Sequence, residues 1–102
     1  MNENYYRREQ VIEIFGLQET FLDELEREEL ISCSIAEQSE EKIYTIDQIE
    51  RIRIITNLVH DLEVNLPGVE VILQMRENMM LMRRQFDQIL EALVKEIKLR
   101  MP

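Results

Sequence analysis

The sequence predicts a mainly α-helical protein, with a small helix-turn-helix head that carries a β-hairpin and a long C-terminal helix behind it. Three observations favour this fold class. Glycine and proline each occur only twice in 102 residues, so turns for a sheet-rich fold are scarce. Apolar residues recur at helical spacing in four segments. Between the second and third of these segments the helical period is lost and apolar residues alternate with polar ones.

Two short helices joined by a glycine are predicted near the start of the chain. The first runs from about Arg7 to Phe15, where apolar side chains follow a helical spacing. Gly16 comes next and is typical of the position just past a helix end. The second helix is predicted from about Gln18 to Glu28, with apolar residues inward and mostly acidic residues outward. Two such helices around a tight turn form a helix-turn-helix unit.

The following segment, residues 30–45, predicts a small β-hairpin, or wing, whose polar tip is Glu37–Lys42. A third helix is predicted from near Asp47, with Thr45 or Asp47 as its cap, and it ends around Asp61–Val64. Its apolar stripe consists of Ile46, Ile49, Ile52, Leu58, Val59 and Leu62.

The C-terminal helix is predicted from Leu66 to about Leu99, because nothing in that stretch interrupts a helix. Asn65 is a natural cap, and Pro67 suits the first turn. Apolar residues then follow at steps of three and four, as in a coiled-coil seam. At about 50 Å such a helix would outrun the head, so we expect the seam to join two copies of the chain. The predicted dimer seam consists of Ile72, Met75, Met79, Met82, Phe86, Ile89 and Leu93.

Charge divides the chain into an acidic head, residues 1–65, and the C-terminal helix, residues 66–102, which we expect to form one structural domain. The head has 16 Asp and Glu against six Lys and Arg, a net charge of −10. The helix has five against six, a net charge of +1. The head should therefore repel a phosphate backbone and attract a basic protein surface.

The sequence predicts no catalytic site, no cofactor and no metal. Cys33 and His60 are the single cysteine and histidine, which is too few for a zinc site, and we interpret both as structural. Gly16 and Gly68 stand alone, so a phosphate-binding glycine loop is lacking. Neither a secretory signal nor an apolar run of membrane-spanning length is present. We expect a non-enzymatic, cytoplasmic protein.

The order of these elements resembles the MerR superfamily over nearly the whole chain. The MerR pattern at the second helix is roughly G-V-S-x-x-T-L-R-Y-Y-E-x-x-G-L, and it aligns with Gly16–Leu30. Asp23 and Glu24 stand where that pattern has the DNA-contacting Arg and Tyr, and Glu29 stands at its Gly. The frame of the pattern is kept at Gly16, Leu22, Glu26 and Leu30, and in the wing at Lys42 and Tyr44, which fall on an R-x-Y pattern.

A narrower resemblance lies in His60–Leu73, which looks like the H-D-L-x-V-N-L-x-G-V-x-x-I/V-L signature of CbpM chaperone modulators. Members of that family are small MerR-like proteins that lack DNA-binding function. The resemblance implies that this protein binds and inhibits the J-domain of a DnaJ-like co-chaperone of the CbpA type. MerR relatives pair their long helices antiparallel, whereas the apolar spacing itself leaves the direction open.

The acidic run Asp23–Glu29 favours a binding face, because this helix enters the major groove in DNA-binding relatives. It lacks the alternating oxygen ligands and central glycine of a calcium loop. The candidate residues for contact with a basic J-domain face are Asp23, Glu24, Glu26 and Glu28. The alternative is a dimeric MerR-like transcription regulator that binds DNA. Its available phosphate-binding groups would be Arg7, Arg8, Lys42, Arg51 and Arg53.

Overall fold

The protein is mainly α-helical, with the winged helix-turn-helix head and long C-terminal helix that the sequence predicts. The computed structural model describes residues 4–101, which form one compact unit up to Leu66 and a second from Pro67 onward. The elements in chain order are β1 (Tyr5–Arg7), α1 (Arg8–Phe15), α2 (Glu19–Arg27), β2 (Ser34–Ile35), β3 (Lys42–Thr45), α3 (Ile46–Thr56), a π-helical turn (Asn57–Asp61) and α4 (Leu66–Arg100).

The wing is a three-stranded antiparallel sheet with β3 at its centre. Tyr6 of β1 lies opposite Tyr44, and Ser34 of β2 lies opposite Ile43. The predicted hairpin is confirmed, although β2 has only two residues. The sequence did not predict β1, because three residues are too few to show an alternating pattern. The third strand supplies pairing that an isolated hairpin lacks.

Gly16 makes the turn between the two short helices, as predicted. Its φ of +63° lies in the left-handed region, and the N–H of the next residue, Leu17, donates to the carbonyl of Ile12 at 3.1 Å. Glycine adopts this backbone conformation without strain. The predicted limits of α1 and α2 agree with the structure to within one residue.

Glu29 follows α2 with a φ of +58°, the same left-handed conformation in a residue that has a side chain. This is the position at which the MerR pattern has glycine. A left-handed conformation costs a residue other than glycine about 1–2 kcal/mol. The position therefore keeps the backbone geometry of the pattern without its favoured residue.

We expect opposite effects on stability from substitutions at these two turns. Gly16→Ala should lower the free energy of unfolding by about 1 kcal/mol, since backbone strain outweighs the lost freedom of the unfolded chain. Among the described residues nothing would lie within 4 Å of the added Cβ, so the cost is that of the backbone alone. Glu29→Gly should raise the same free energy by about 0.5–1 kcal/mol.

Urea denaturation measures both changes, and Glu29→Ala is the control, because it removes the same carboxylate but keeps the strained backbone. If Glu29→Ala stabilised the protein as much as Glu29→Gly, relief of charge repulsion rather than of backbone strain would be the cause.

Thr45 caps α3, as predicted: its hydroxyl accepts a hydrogen bond from the N–H of Gln48 at 3.4 Å. The end of this helix differs from the prediction of a regular helix to Asp61–Val64. The α-helix stops at Thr56 and the chain continues as a π-helical turn. A π-helical turn is wider than an α-helical one and shifts the face on which later residues lie.

Two residues of the predicted α3 stripe are exposed rather than buried, and one of them lies past the π-helical turn. Leu62, just past the π-helical turn, has a relative exposure of 67%, and Ile46, the first residue of α3, has 48%. The middle of the stripe is correct, since Ile52 is fully buried. With it, the core of the first unit comprises Val11, Leu17, Leu22, Leu25, Leu30, Ile31, Tyr44 and Ile55.

The long helix α4 has 35 residues, so it extends for about 52 Å. It begins at Leu66, where it was predicted, and ends at Arg100. Val69 and Leu73 near its start are buried. From Gln74 to Arg100 almost every residue is exposed in the single chain.

Candidate protein-interaction site

The helix α2 has a buried side and an exposed side. Leu22 and Leu25 are fully buried and fix the orientation of the helix on the core. Residues that recur every three or four positions share a helix face, so the opposite side can be read from the sequence. We call this side the outer face of α2; it consists of Thr20, Phe21, Glu24, Arg27 and Glu28.

A network of charged side chains centred on Arg8, the Arg8 network, ties α1, α2 and the wing together. Arg8 Nη1 donates to Glu26 Oε1 at 3.0 Å and to the Tyr44 hydroxyl at 2.9 Å. The Tyr44 hydroxyl donates to the same oxygen of Glu26, and Lys42 Nζ pairs with Glu26 Oε2 at 3.0 Å. Arg8 Nη2 pairs with Asp23. The network thus joins residues from three separate elements, α1, α2 and β3.

The network fixes the charge state of its members. Burial alone would raise the pKa of Glu26, but hydrogen bonds from Tyr44 and Lys42 outweigh it and hold that pKa below its ordinary value. Burial would lower the pKa of Arg8, but its interactions with Tyr44, Glu26 and Asp23 raise it. Burial and the neighbouring carboxylate of Glu26 raise the pKa of Tyr44. At neutral pH Arg8 is therefore a cation, Glu26 a carboxylate and Tyr44 a neutral phenol.

This arrangement predicts a loss of stability in acid. Folding lowers the pKa of Glu26. Its carboxylate therefore contributes its full stabilisation of the fold at pH values above the ordinary pKa of 4.5. That contribution disappears as the pH falls through the lowered pKa. The free energy of unfolding, measured with urea across this pH range, should therefore fall less steeply in Glu26→Gln than in the wild type. Glu24→Gln is the control. Equal acid slopes for Glu26→Gln and the wild type would contradict the role assigned to the network.

The four candidate partner-binding residues fall into two pairs. Glu26 belongs to the Arg8 network, and its side chain is only 16% exposed. Asp23 is exposed, but its charge is paired with Arg8. Glu24 is half-buried and Glu28 is exposed, both on the outer face of α2. Neither forms an ion pair within residues 4–101. The carboxylates available to a partner on α2 are therefore chiefly Glu24 and Glu28.

Most of the cations considered for phosphate binding are engaged within the head. Arg8 and Lys42 belong to the Arg8 network. Arg53 pairs with Glu50, and Arg51 donates to the backbone carbonyl of Leu30. These contacts keep the basic groups next to carboxylates or the backbone rather than gathering them into one positive surface.

The seven residues of the predicted dimer seam are all exposed in the single chain, with relative exposures from 36% at Ile72 to 68% at Met79. Leu90 and Val94, exposed as well, widen this apolar surface toward the end of the helix. An apolar stripe of this length on one helix is typical of a surface that another chain covers. Pairing of two copies of the chain through this stripe stays a prediction.

The single histidine and the single cysteine lie apart from the Arg8 network. The His60 ring lies 5.2 Å from the ring of Phe21, centroid to centroid, with a tilt of 40°. Cys33 is half-buried with a free thiol. Across residues 4–101, no group of three or more His, Cys, Asp and Glu is placed to hold a metal ion. In the same range, no helix has the length and apolar character to cross a membrane.

The winged head, the glycine turn and the long C-terminal helix define a winged helix-turn-helix protein. The profile of the family described as MerR HTH family regulatory protein matches residues 6–91. The chain belongs to this family. A comparison with curated proteins gave no match.

The sequence did not predict the Arg8 network, although three of its members lie on matched MerR positions. Glu26, Lys42 and Tyr44 match the family pattern, which was the available sign that they serve the scaffold. Arg8 gave no such sign, because its partners lie 18 and 36 residues away along the chain.

Proposed function

We propose that this protein is a non-enzymatic modulator that binds and inhibits the J-domain of a DnaJ/CbpA-type co-chaperone through the outer face of α2. The observation that carries the proposal is the reversed charge of α2. Asp23 and Glu24 stand where DNA-binding MerR proteins have Arg and Tyr. The CbpM-like signature at His60–Leu73 supplies the class of partner.

The distribution of charge supports a basic protein rather than DNA as the partner. In a DNA complex, the carboxylates of α2 would face phosphates, and each would weaken binding. Most of the cations that would have to offset them are already engaged, as Arg8 and Lys42 are with Glu26. A basic protein surface meets the opposite field, which speeds its encounter with the head and favours the correct orientation.

The spacing of the two unpaired carboxylates adds a local reason. Glu24 and Glu28 are four residues apart, so they are neighbours on the helix surface and repel one another. A cation on the partner would relieve this repulsion while it gains an ion pair. Glu24 is also half-buried, so salt screens an ion pair there less than an ion pair between fully exposed side chains.

Calorimetric titration of charge-reversed variants into an isolated J-domain tests this proposal. Glu24→Lys/Glu28→Lys should raise the dissociation constant at least tenfold, about 1.4 kcal/mol. The matched control is Glu9→Lys/Glu13→Lys on α1, which makes the same charge change at the same spacing on exposed positions. Equal losses for the two double variants would indicate a net-charge effect and would contradict a site on α2.

A further inference from the structure

The outer face of α2 carries an aromatic contact beside Glu24, one of its two unpaired carboxylates. Phe21 is half-buried, and the ring of His60, which is exposed, lies against it. Glu24 follows Phe21 by three residues and therefore lies next to it on the helix surface. The same side of α2 forms a shallow groove lined by Thr20, Phe21, Glu24 and Arg27.

These groups have the chemistry that recognises a guanidinium. A planar cation stacks on an aromatic face, and its N–H groups can bind a carboxylate in a fixed, two-pronged geometry. Glu24 is available for this because it has no ion pair within residues 4–101. Lysine has no planar group to stack, so the combination favours arginine.

We propose that Phe21, Glu24 and His60 form a receptor for one arginine side chain of a basic protein partner. The guanidinium stacks on Phe21, beside the His60 ring, and pairs with Glu24. We call these three residues the arginine receptor. The choice of a J-domain as the partner rests on the proposed function, whereas the preference for arginine does not.

Arg27 lies beside the arginine receptor and weakens it. It lines the same groove and forms no ion pair within the described part of the chain, so its positive charge repels a cation of the partner that approaches Glu24. Arg27→Gln should therefore strengthen the binding of a basic partner, the opposite of the effect of Glu24→Gln. Opposite signs from two neighbouring positions are hard to obtain from loss of folding.

The first test uses hexa-arginine and hexa-lysine as probes of the full chain. His60 is the single histidine, so its ring protons give resolved NMR signals that report on this place alone. Hexa-arginine should shift these signals saturably and bind about threefold or more tighter than hexa-lysine. Phe21→Leu should remove the preference for arginine, and Glu24→Gln should weaken both peptides. Equal binding of the two peptides, or unmoved His60 signals, would overturn the proposal.

The second test separates the receptor from the proposed function, with isolated J-domain as the probe. If the wild type binds the J-domain and both Phe21→Leu and Glu24→Gln bind equally well, the receptor is wrong while the proposed function stands. If the wild type fails to bind the J-domain but keeps its preference for hexa-arginine at His60, the proposed function is wrong while the receptor stands. Loss of binding in Glu24→Gln cannot be ascribed to misfolding, since this variant changes a surface carboxylate and leaves the aromatic pair in place.

Discussion

Phe86→Glu is expected to convert a dimer into a monomer. Phe86 lies in the middle of the predicted seam and is 59% exposed in the single chain. In a dimer its ring would be buried between two helices, where a carboxylate without a partner is costly. We expect the dissociation constant of the dimer to rise about a hundredfold or more, which is about 2.7 kcal/mol. Sedimentation velocity across a concentration series measures this change.

Leu81→Glu provides the matched control for that experiment. Leu81 is on the same helix and is 47% exposed, but it lies about 140° around the helix from Phe86. The substitution introduces the same carboxylate away from the seam, so the dimer should persist. A wild-type protein that sediments as a monomer at micromolar concentration would contradict the seam itself, and equal dissociation of both variants would contradict its position on the helix.

Arg8→Met is expected to cost more stability than any other single surface substitution proposed above. It keeps most of the apolar stem but leaves Glu26 and the Tyr44 hydroxyl without their shared partner. Because Glu26 is largely buried, the loss should be about 2–3 kcal/mol in the free energy of unfolding. Urea denaturation at neutral pH measures it.

Arg53→Met is the control for Arg8→Met. Arg53 pairs with Glu50 on the surface of α3, with both side chains well exposed. Exposed pairs contribute only about 0–1 kcal/mol, so this variant should be close to the wild type. If both arginine variants lost the same stability, the Arg8 network would be an ordinary set of surface ion pairs.

The parts of the fold that the sequence predicted are those set by local pattern. The ends of α1 and α2 are marked by Gly16 and by apolar spacing, and α4 by an uninterrupted seam. The strand β1 escaped prediction because it depends on pairing with a distant segment. Tyr6 pairs with Tyr44, and nothing within three residues of Tyr6 indicates that partner.

The candidate site was likewise predictable from the sequence only where local pattern sets it. The sign reversal at Asp23 and Glu24 was visible in the sequence, because the MerR frame around them is kept. The difference between paired and unpaired carboxylates was not visible, since it depends on where Arg8 lies in the folded head. The contact between Phe21 and His60 likewise joins α2 to a turn 39 positions later in the chain. Sequence therefore indicated the helix that we propose as the binding element, and the structure indicated which of its side chains are available.

The most direct test of the proposed function is a side-by-side titration of the wild-type protein against a fluorescent J-domain and a fluorescent DNA duplex. Anisotropy is followed for both at low and high salt. We predict saturable binding to the J-domain that weakens as salt is raised, and no saturable binding to the duplex under the same conditions. Saturable binding to DNA with a steep dependence on salt, together with no binding to the J-domain, would contradict the proposal and favour a transcription regulator instead.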